Sequence, residues 1–173
     1  MQDAATNEQT ILQRASRIRL TVFDVDGVLT DGRLYYGVDG EAMKSFHSRD
    51  GLGLKALANS GVHIAVISGR KHQGVNVRLA QLGITEVHQG IAHKLPVLVE
   101  LMQRLGVQAE EVSFMGDDWN DAPTMRHAGL ALAPADAARP IMHLADYVTH
   151  CPGGYGAVRE VCAVSYTHLR AHE

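Results

Sequence analysis

Short apolar runs alternate with segments of helical periodicity along most of the chain. The first run, residues 19–25, is apolar on both faces, as in a strand buried inside a parallel sheet. Further strands are predicted at residues 62–67, 85–88, 112–116, 130–134 and 146–150. Strands separated by helical stretches predict an α/β fold with a doubly wound, Rossmann-like parallel sheet and helices on both faces.

Helical periodicity is clearest over residues 94–105, where Leu95, Leu98 and Met102 fall on one side and Gly106 follows the last turn. Other helices are predicted at residues 50–61, 70–83, 121–129, 135–144 and 154–164. Residues 32–48 depart from this alternation. Their Asp39-Gly40 pair between β-like flanks predicts a small β-hairpin inserted after the first strand.

Polar side chains follow the predicted strands at the points where the strands end. Asp24 and Asp26 stand at the end of the first run, Ser68 follows the second, and Asp117 follows the run at 112–116. Ligands of parallel sheets bind at the carboxyl ends of the strands. We therefore expect Asp24, Ser68 and Asp117 to meet along one edge of the sheet.

Carboxylates crowded at one edge repel and raise each other's pKa unless a cation lies between them. Mg²⁺ prefers oxygen ligands and suits Asp24 and Asp117, with Asp118 or Asp121 acting through water. Zinc is not expected, because the domain shows no Cys/His cluster with zinc-ligand spacing.

A hydroxyl and an ammonium beside such a metal indicate a phosphate site. Ser68 can donate a hydrogen bond to a phosphoryl oxygen, Gly69 allows close backbone approach, and Lys94 offsets developing negative charge. One of the paired aspartates can attack phosphorus while the other handles the proton of the leaving group. Each motif alone is common in turns and loops, but the complete series in this order favours the functional interpretation.

The motifs "DVDGVLTDG", Ser68, Lys94 and "GDDWND" resemble the four motifs of the haloacid dehalogenase superfamily of phosphotransferases. Flanking stretches such as "FHSRDGLGLKAL", "VISGRK" and "HKLPVL" are similar to the 3-deoxy-D-manno-octulosonate 8-phosphate phosphatases over residues 18–162. The resemblance implies a Mg²⁺-dependent phosphatase of lipopolysaccharide biosynthesis. Its products would be the free sugar acid, which leaves as an aspartyl-phosphate forms, and inorganic phosphate, which hydrolysis of that intermediate releases.

The resemblance also implies a role for each motif residue. Asp24 is the nucleophile and a metal ligand. Asp26 protonates the leaving alkoxide and then activates water, while its backbone carbonyl binds the metal. Asp117 is the third protein ligand, and Ser68 and Lys94 bind the phosphoryl group. Two further carboxylates hold waters on the metal or orient the lysine: Asp118 and Asp121.

Substrate contacts are implied at a larger set of positions: Asp26, His47, Ser48, Arg49, Asp50, Gly51, Lys55, Arg70, Arg78 and Lys94. The implied substrate carries a carboxylate and a phosphate, and arginine pairs well with both. Alternatives stay open for several of them. Lys55 and Arg78 are also consistent with solvated charges on a helix face. His47 is consistent with a strand-end residue without a ligand, and Asp50 with a helix N-cap.

The predicted hairpin is too small to exclude water from the site, as the inserted cap domain does in many relatives. The resemblance implies a homotetramer in which these hairpins associate and complete the site. Tyr35, Tyr36 and Met43 suit such an interface, and packing on their own domain is the alternative.

The composition of the chain mainly excludes certain partners and locations. The net charge of -3 and the lack of a basic stretch argue against nucleic acid as a partner. No apolar stretch approaches the ~20 residues of a membrane span, and the polar N-terminus is unlike a secretory signal. Two cysteines without a CxxC pair favour a reducing compartment, so the cytoplasm is expected.

Three parts of the chain are distinguished: an N-terminal extension (1–17), a phosphatase domain (18–164) and an atypical tail (165–173). The extension shows a partial apolar stripe and is assigned no chemistry. The tail does not resemble the family and is interpreted as foreign to the domain, so His168 and His172 are given no metal role. Tyr155 stands where members often carry arginine, which bears on specificity.

Competing functions are a phosphatase for another nonulosonate, such as a sialic-acid 9-phosphate, and a non-catalytic oligomerisation or regulatory domain of the same fold. A third is a domain that accepts phosphate without turnover. The intact Asp24, Asp26, Lys94 and Asp117 argue against a non-catalytic domain, and Asp26 argues against a passive acceptor.

Overall fold

The computed structural model describes the backbone of residues 2–170 and the side chains of residues 9–164. Within that backbone the strands are β1 (Leu20–Phe23), β2 (Tyr35–Gly37), β3 (Gly40–Met43), β4 (His63–Ser68), β5 (Glu86–Gln89), β6 (Val112–Met115), β7 (Leu130–Ala133) and β8 (Tyr147–Val148). Six of them form a parallel sheet in the order β5-β4-β1-β6-β7-β8. The remaining two, β2 and β3, pair with each other as the predicted antiparallel hairpin.

The helices of the described backbone are α1 (Gln2–Ala15), α2 (Ser48–Asn59), α3 (Gln73–Gln81), α4 (Lys94–Leu105), α5 (Ala122–His127), α6 (Arg139–Leu144) and α7 (Ala157–Arg170). Two apolar cores separate them from the sheet. One contains Leu54 of α2 and Val158 of α7. The other contains Leu98 of α4 and Ile141 of α6. Helices therefore cover both faces of the parallel sheet, and the predicted doubly wound α/β fold is confirmed.

β1 lies at the centre of the sheet and is buried on both faces. Leu20 and Val22 point into one core and Phe23 into the other, as a two-residue side-chain period requires. Because β1 pairs with β4 on one side and β6 on the other, the strand order reverses at β1. Such a switch point opens a crevice at the carboxyl ends of the strands.

The predicted first strand is too long at its carboxyl end. Pairing stops at Phe23, and residues 25–29 form an irregular turn in which Gly27 adopts φ 84°. This left-handed conformation is costly for residues with a side chain, which explains the glycine after the two aspartates. Asp24 and Asp26 therefore lie beyond the strand, in the crevice.

α1 packs against the domain. Ala15 is buried in one of the two cores and Ile11 packs against it. Arg14 donates to both carboxylate oxygens of Asp146, at 2.9 and 2.7 Å, and to the carbonyl of Gly129. The leading segment thus contributes packing and one ion pair. The three-part division of the chain stays a prediction, and the side chains of residues 165–173, with His168 and His172, lie outside the described residues.

Within the described residues, no helix combines the length and apolar character that crossing a membrane requires.

Candidate active site

The strand register brings the predicted residues to one rim. Phe23 of β1 is level with Val66 of β4 and with Met115 of β6. Asp24 therefore stands beside the last residues of β4 and directly beside the chain that leaves β6. A cleft of about 260 Å³ opens there. Its lining residues are Asp24, Asp26, Gly32, Leu34, Ser68, Gly69, Arg70, Asp117, Asp118 and Asn120.

Three carboxylates converge at the floor of this cleft. Asp24, Asp117 and Asp121 each offer one oxygen, and the three oxygens lie within 4.8 Å of one another. The close approach depends on glycine, because a Cβ at Gly27 would overlap the Asp117 carboxylate and one at Gly116 would overlap Asp121. The local chain is thus built to admit these acidic side chains into a small volume.

The carboxylates are held where their charge is unfavourable. Burial, followed by repulsion from Asp121, raises the pKa of Asp24 to about 7, against the lowering effect of Lys94. Burial, followed by repulsion from Asp24 and Asp121, raises the pKa of Asp117 to about 8. A hard divalent cation bound by these oxygens would remove the repulsion, so the residues present fit Mg²⁺.

Lys94 is a cation that the chain supplies beside these carboxylates. It is the first residue of α4, only 1% of the residue is exposed, and its Nζ lies 2.6 Å from Asp121 Oδ1 and 2.9 Å from Asp24 Oδ1. Burial works to lower its pKa, but Asp24 and Asp121 together raise it. Lys94 is therefore charged and directed at Asp24.

Asp121 accepts a hydrogen bond from the lysine. It is fully buried, and its second oxygen accepts the backbone N–H of Asp117 at 3.0 Å and of Asp118 at 3.3 Å. Asp118 is on the rim, where its carboxylate accepts the N–H of Trp119 at 2.8 Å. The supporting roles of Asp118 and Asp121 stay predictions.

Ser68 is the final residue of β4, and Gly69 and Arg70 continue the chain along the rim. The Ser68 hydroxyl oxygen accepts the N–H of Arg70 at 3.3 Å, which leaves its own proton to donate into the cleft. Asp26 lines the same cleft and forms an ion pair with Lys44, which directly follows β3. Sequence reasoning missed this contact, since nothing local shows that the end of the hairpin reaches Asp26.

The stretch at residues 47–51 begins α2, and none of these residues lines the described cleft. Asp50 is buried against α7, where it accepts the N–H of Arg159 at 2.8 Å. It is also not the N-cap, a position that His47 occupies. Ser48 and Arg49 are exposed at the start of the helix.

Gly51 and Arg78 meet between α2 and α3, because a Cβ at Gly51 would overlap the Arg78 guanidinium. Lys55 is exposed on α2. Of the predicted substrate contacts, the structure thus places Asp26 and Arg70 in the lining of the cleft and Lys94 beside Asp24 and Asp121. The substrate roles of residues 47–51, Lys55 and Arg78 stay predictions.

Comparison with known proteins agrees with this geometry. Residues 48–129 match the family model described as haloacid dehalogenase-like hydrolase. The chain is 45% identical over 152 residues to the 3-deoxy-D-manno-octulosonate 8-phosphate phosphatase KdsC of Salmonella typhi. That alignment covers 88% of this chain and 81% of the relative.

Solved structures show the same likeness. The 3-deoxy-D-manno-octulosonate 8-phosphate phosphatase of Yersinia pestis superposes with a TM-score of 0.90 at 43% identity, covering 92% of this chain and 86% of the other. The phosphatase of the same name from Moraxella catarrhalis, in complex with magnesium ion, phosphate ion and KDO, gives a TM-score of 0.90 at 38% identity. That match covers 95% of this chain and 96% of the other. The chain therefore belongs to the haloacid dehalogenase-like hydrolases and, among them, to the 3-deoxy-D-manno-octulosonate 8-phosphate phosphatase family.

Proposed function

We propose that this chain is a Mg²⁺-dependent phosphatase that hydrolyses 3-deoxy-D-manno-octulosonate 8-phosphate to the free sugar acid and inorganic phosphate. The observation that carries the proposal is the convergence of Asp24, Asp117 and Asp121, two of which pair with the buried ammonium of Lys94, in a chain 45% identical to a phosphatase of that name. The reaction belongs to lipopolysaccharide biosynthesis.

Asp24 is suited to attack phosphorus, because its carboxylate lies at the floor of the cleft beside the charged Lys94. The attack forms a bond from its oxygen to phosphorus and breaks the bond from phosphorus to the sugar oxygen. Asp26 lines the same cleft two residues along the chain and gives the leaving alkoxide its proton. It then takes a proton from the water that hydrolyses the aspartyl-phosphate.

Lys94 and Ser68 hold the phosphoryl oxygens during both steps, and Arg70 supplies a cation at the rim for the anionic substrate. Asp24, Asp117 and the Asp26 carbonyl would hold Mg²⁺, with waters on the metal held by Asp118. When bound, the cation neutralises charge on the transferring group. Asp121 keeps Lys94 in place.

The substrate assignment is tested by comparing phosphate release from a panel of sugar phosphates. We expect kcat/KM for the 3-deoxy-octulosonate 8-phosphate to exceed that for a sialic-acid 9-phosphate and for hexose 6-phosphates by at least ~10-fold, a discrimination that a few polar contacts supply. Higher kcat/KM on the 9-phosphate would instead identify the alternative nonulosonate phosphatase. Phosphate bound without release would indicate a passive acceptor domain.

We also propose that the working enzyme is a homotetramer joined through the β2–β3 hairpins, in the cytoplasm. The hairpin leaves large apolar side chains in solvent, including Tyr36, Val38 and Met43 at 65%, 102% and 57% exposure. A surface of this kind is typical of an interface between subunits. Both cysteines are free thiols, as in a reducing compartment.

Placing charge on this surface is expected to dissociate the assembly. The double substitution Val38→Glu and Met43→Glu should shift the mass measured by light scattering from four chains towards one, because two buried carboxylates oppose association. The matched control is Gln103→Glu, on the exposed side of α4. A single-chain mass for the unmodified protein would contradict the tetramer.

A further inference from the structure

The side chain of one lysine at the end of the hairpin is buried although strand β2 of the hairpin is exposed. Lys44 directly follows β3, and only 1% of its side chain is accessible. Its Nζ forms an ion pair with Asp26 Oδ1 and lies 2.6 Å from Glu41 Oε1. All three residues of β2, in contrast, are exposed. The hairpin thus folds back so that one ammonium reaches the cleft.

Arg70 approaches the same carboxylates from the other side. Its Nη2 lies 3.0 Å from Glu41 Oε2, and its Nε lies 3.9 Å from Asp26 Oδ2. Nη2 also contacts the hydroxyl of Tyr36 at 3.3 Å. Asp26, Lys44, Glu41 and Arg70 therefore alternate in sign around a closed ring. Each oxygen of Asp26 faces a different cation.

A gain in stability does not explain why this cluster is present. A buried lysine costs desolvation energy that its ion pairs only offset, and the pairs of Arg70, whose side chain is 41% accessible, contribute little. An acid/base group on an irregular turn, however, must keep its carboxylate directed at the scissile oxygen. Cations at both oxygens restrict rotation of the Asp26 carboxylate. Glu41 accepts hydrogen bonds from both cations and so holds the flexible side chains of Lys44 and Arg70 next to Asp26.

We infer that Lys44 is a positioning residue for Asp26, anchored by Glu41. The inference rests on the proposed function only in taking Asp26 as the group that protonates the leaving oxygen. On this account the hairpin that stands in place of a cap domain acts on the proton-transfer step and does more than limit access to the cleft.

The test uses two aryl phosphates that differ in leaving group, since a nitrophenolate leaves readily without a proton and a phenolate does not. Lys44→Met should lower kcat/KM for phenyl phosphate by ~100-fold, the scale of a misplaced general acid. For p-nitrophenyl phosphate the loss should be less than ~5-fold, because this step needs little protonation. Lys44→Arg should recover most of the rate on phenyl phosphate, and Lys71→Met, an exposed lysine, serves as the matched control.

A double-mutant cycle separates positioning from simple charge balance. In the Asp26→Asn background, Lys44→Met should change kcat/KM for phenyl phosphate by less than ~2-fold, because the residue acts only through Asp26. Combining Lys44→Met with Glu41→Gln restores the charge balance of the four-residue cluster. This double variant should recover the melting temperature of the unmodified protein, but not its rate on phenyl phosphate.

Equal losses on both aryl phosphates, or losses that multiply with Asp26→Asn, would overturn the role of Lys44. Recovery of the rate on phenyl phosphate when Lys44→Met is combined with Glu41→Gln would also overturn that role. Turnover of aryl phosphates without turnover of the sugar 8-phosphate would refute only the proposed substrate. An unmodified protein that hydrolyses neither the aryl phosphates nor the sugar 8-phosphate would refute the phosphatase chemistry on which both proposals rest.

Discussion

Replacing Asp24 by asparagine is expected to lower phosphate release by at least ~10⁴-fold, because removing a nucleophile abolishes the covalent route. The amide has nearly the shape of the carboxylate but cannot form the phosphoryl ester. The measurement is kcat for the sugar 8-phosphate at saturating Mg²⁺. A second readout is acid quenching during turnover, which should trap phosphate on the unmodified protein and not on the variant.

The loss should be specific to chemistry and should not reflect unfolding. Burial, followed by repulsion from Asp121, raises the pKa of the Asp24 carboxyl, so a neutral side chain at this position removes an unfavourable charge. The metal-free variant should therefore melt no lower than the unmodified protein. Asp118→Asn, on the rim, is the matched control and should cost only ~10-fold, as removal of an indirect contact to a metal does. Retention of more than a few per cent of kcat by Asp24→Asn would eliminate the aspartyl-phosphate mechanism.

Removal of Mg²⁺ by a chelator is expected to lower turnover by at least ~10³-fold, with full recovery on adding the cation back, because charge neutralisation at the phosphoryl group is lost. The same site should show a characteristic pH dependence. In the metal-free protein the pKa values of Asp24 and Asp117 are about 7 and about 8, against an ordinary value of 3.8. Protons therefore compete with the cation below these values.

The sign of the stability effect follows from these raised pKa values. Between pH 3.8 and about 8 the folded protein holds protons that the unfolded chain has released. The contribution of these two groups to the free energy of unfolding therefore falls as pH rises through this window. Bound Mg²⁺ reverses that loss, so its stabilising effect should be larger at pH 8 than at pH 6. Thermal melting with and without Mg²⁺ at both pH values measures this difference.

Asp117→Asn provides the variant for the metal experiment. At pH 8 without metal it should melt a few degrees higher than the unmodified protein, about the shift that ~1 kcal/mol gives in a chain of this size. Its response to Mg²⁺ should be lost. Glu110→Gln, an exposed carboxylate away from the cleft, should keep the normal response. An equal Mg²⁺ shift at pH 6 and pH 8, or one that survives in Asp117→Asn, would place the metal elsewhere.

Much of the fold and the centre of the site were predictable because they depend on short-range patterns. A strand buried on both faces is apolar at successive positions, so β1 and β4 were recognised, and the helix predicted at residues 94–105 coincides with α4. Strand-end residues of a parallel sheet share one edge whatever the details of packing. Asp24, Ser68 and Asp117 therefore meet there as predicted.

Element ends were less predictable. The first strand was predicted to continue through Asp24 because Val25 extends the apolar pattern, but Val25 belongs to the turn after the strand and is still buried. Asp50 shows that the bonding partner of a side chain is also hard to predict from the sequence. A charged residue near a helix start resembles a cap or a ligand in sequence, yet here it bonds the backbone of α7, more than 100 residues away.

The sequence by itself determined the sheet, the order of the four motifs and the acidic, magnesium-suited character of the strand ends, because side-chain periodicity and topology are encoded locally. Only the tertiary structure decided that Asp121 secures Lys94 and that Lys44 reaches Asp26. Those contacts join segments 27 and 18 residues apart in the chain. Their formation depends on how the turn after β1, the hairpin and α4 pack together, which no local pattern specifies.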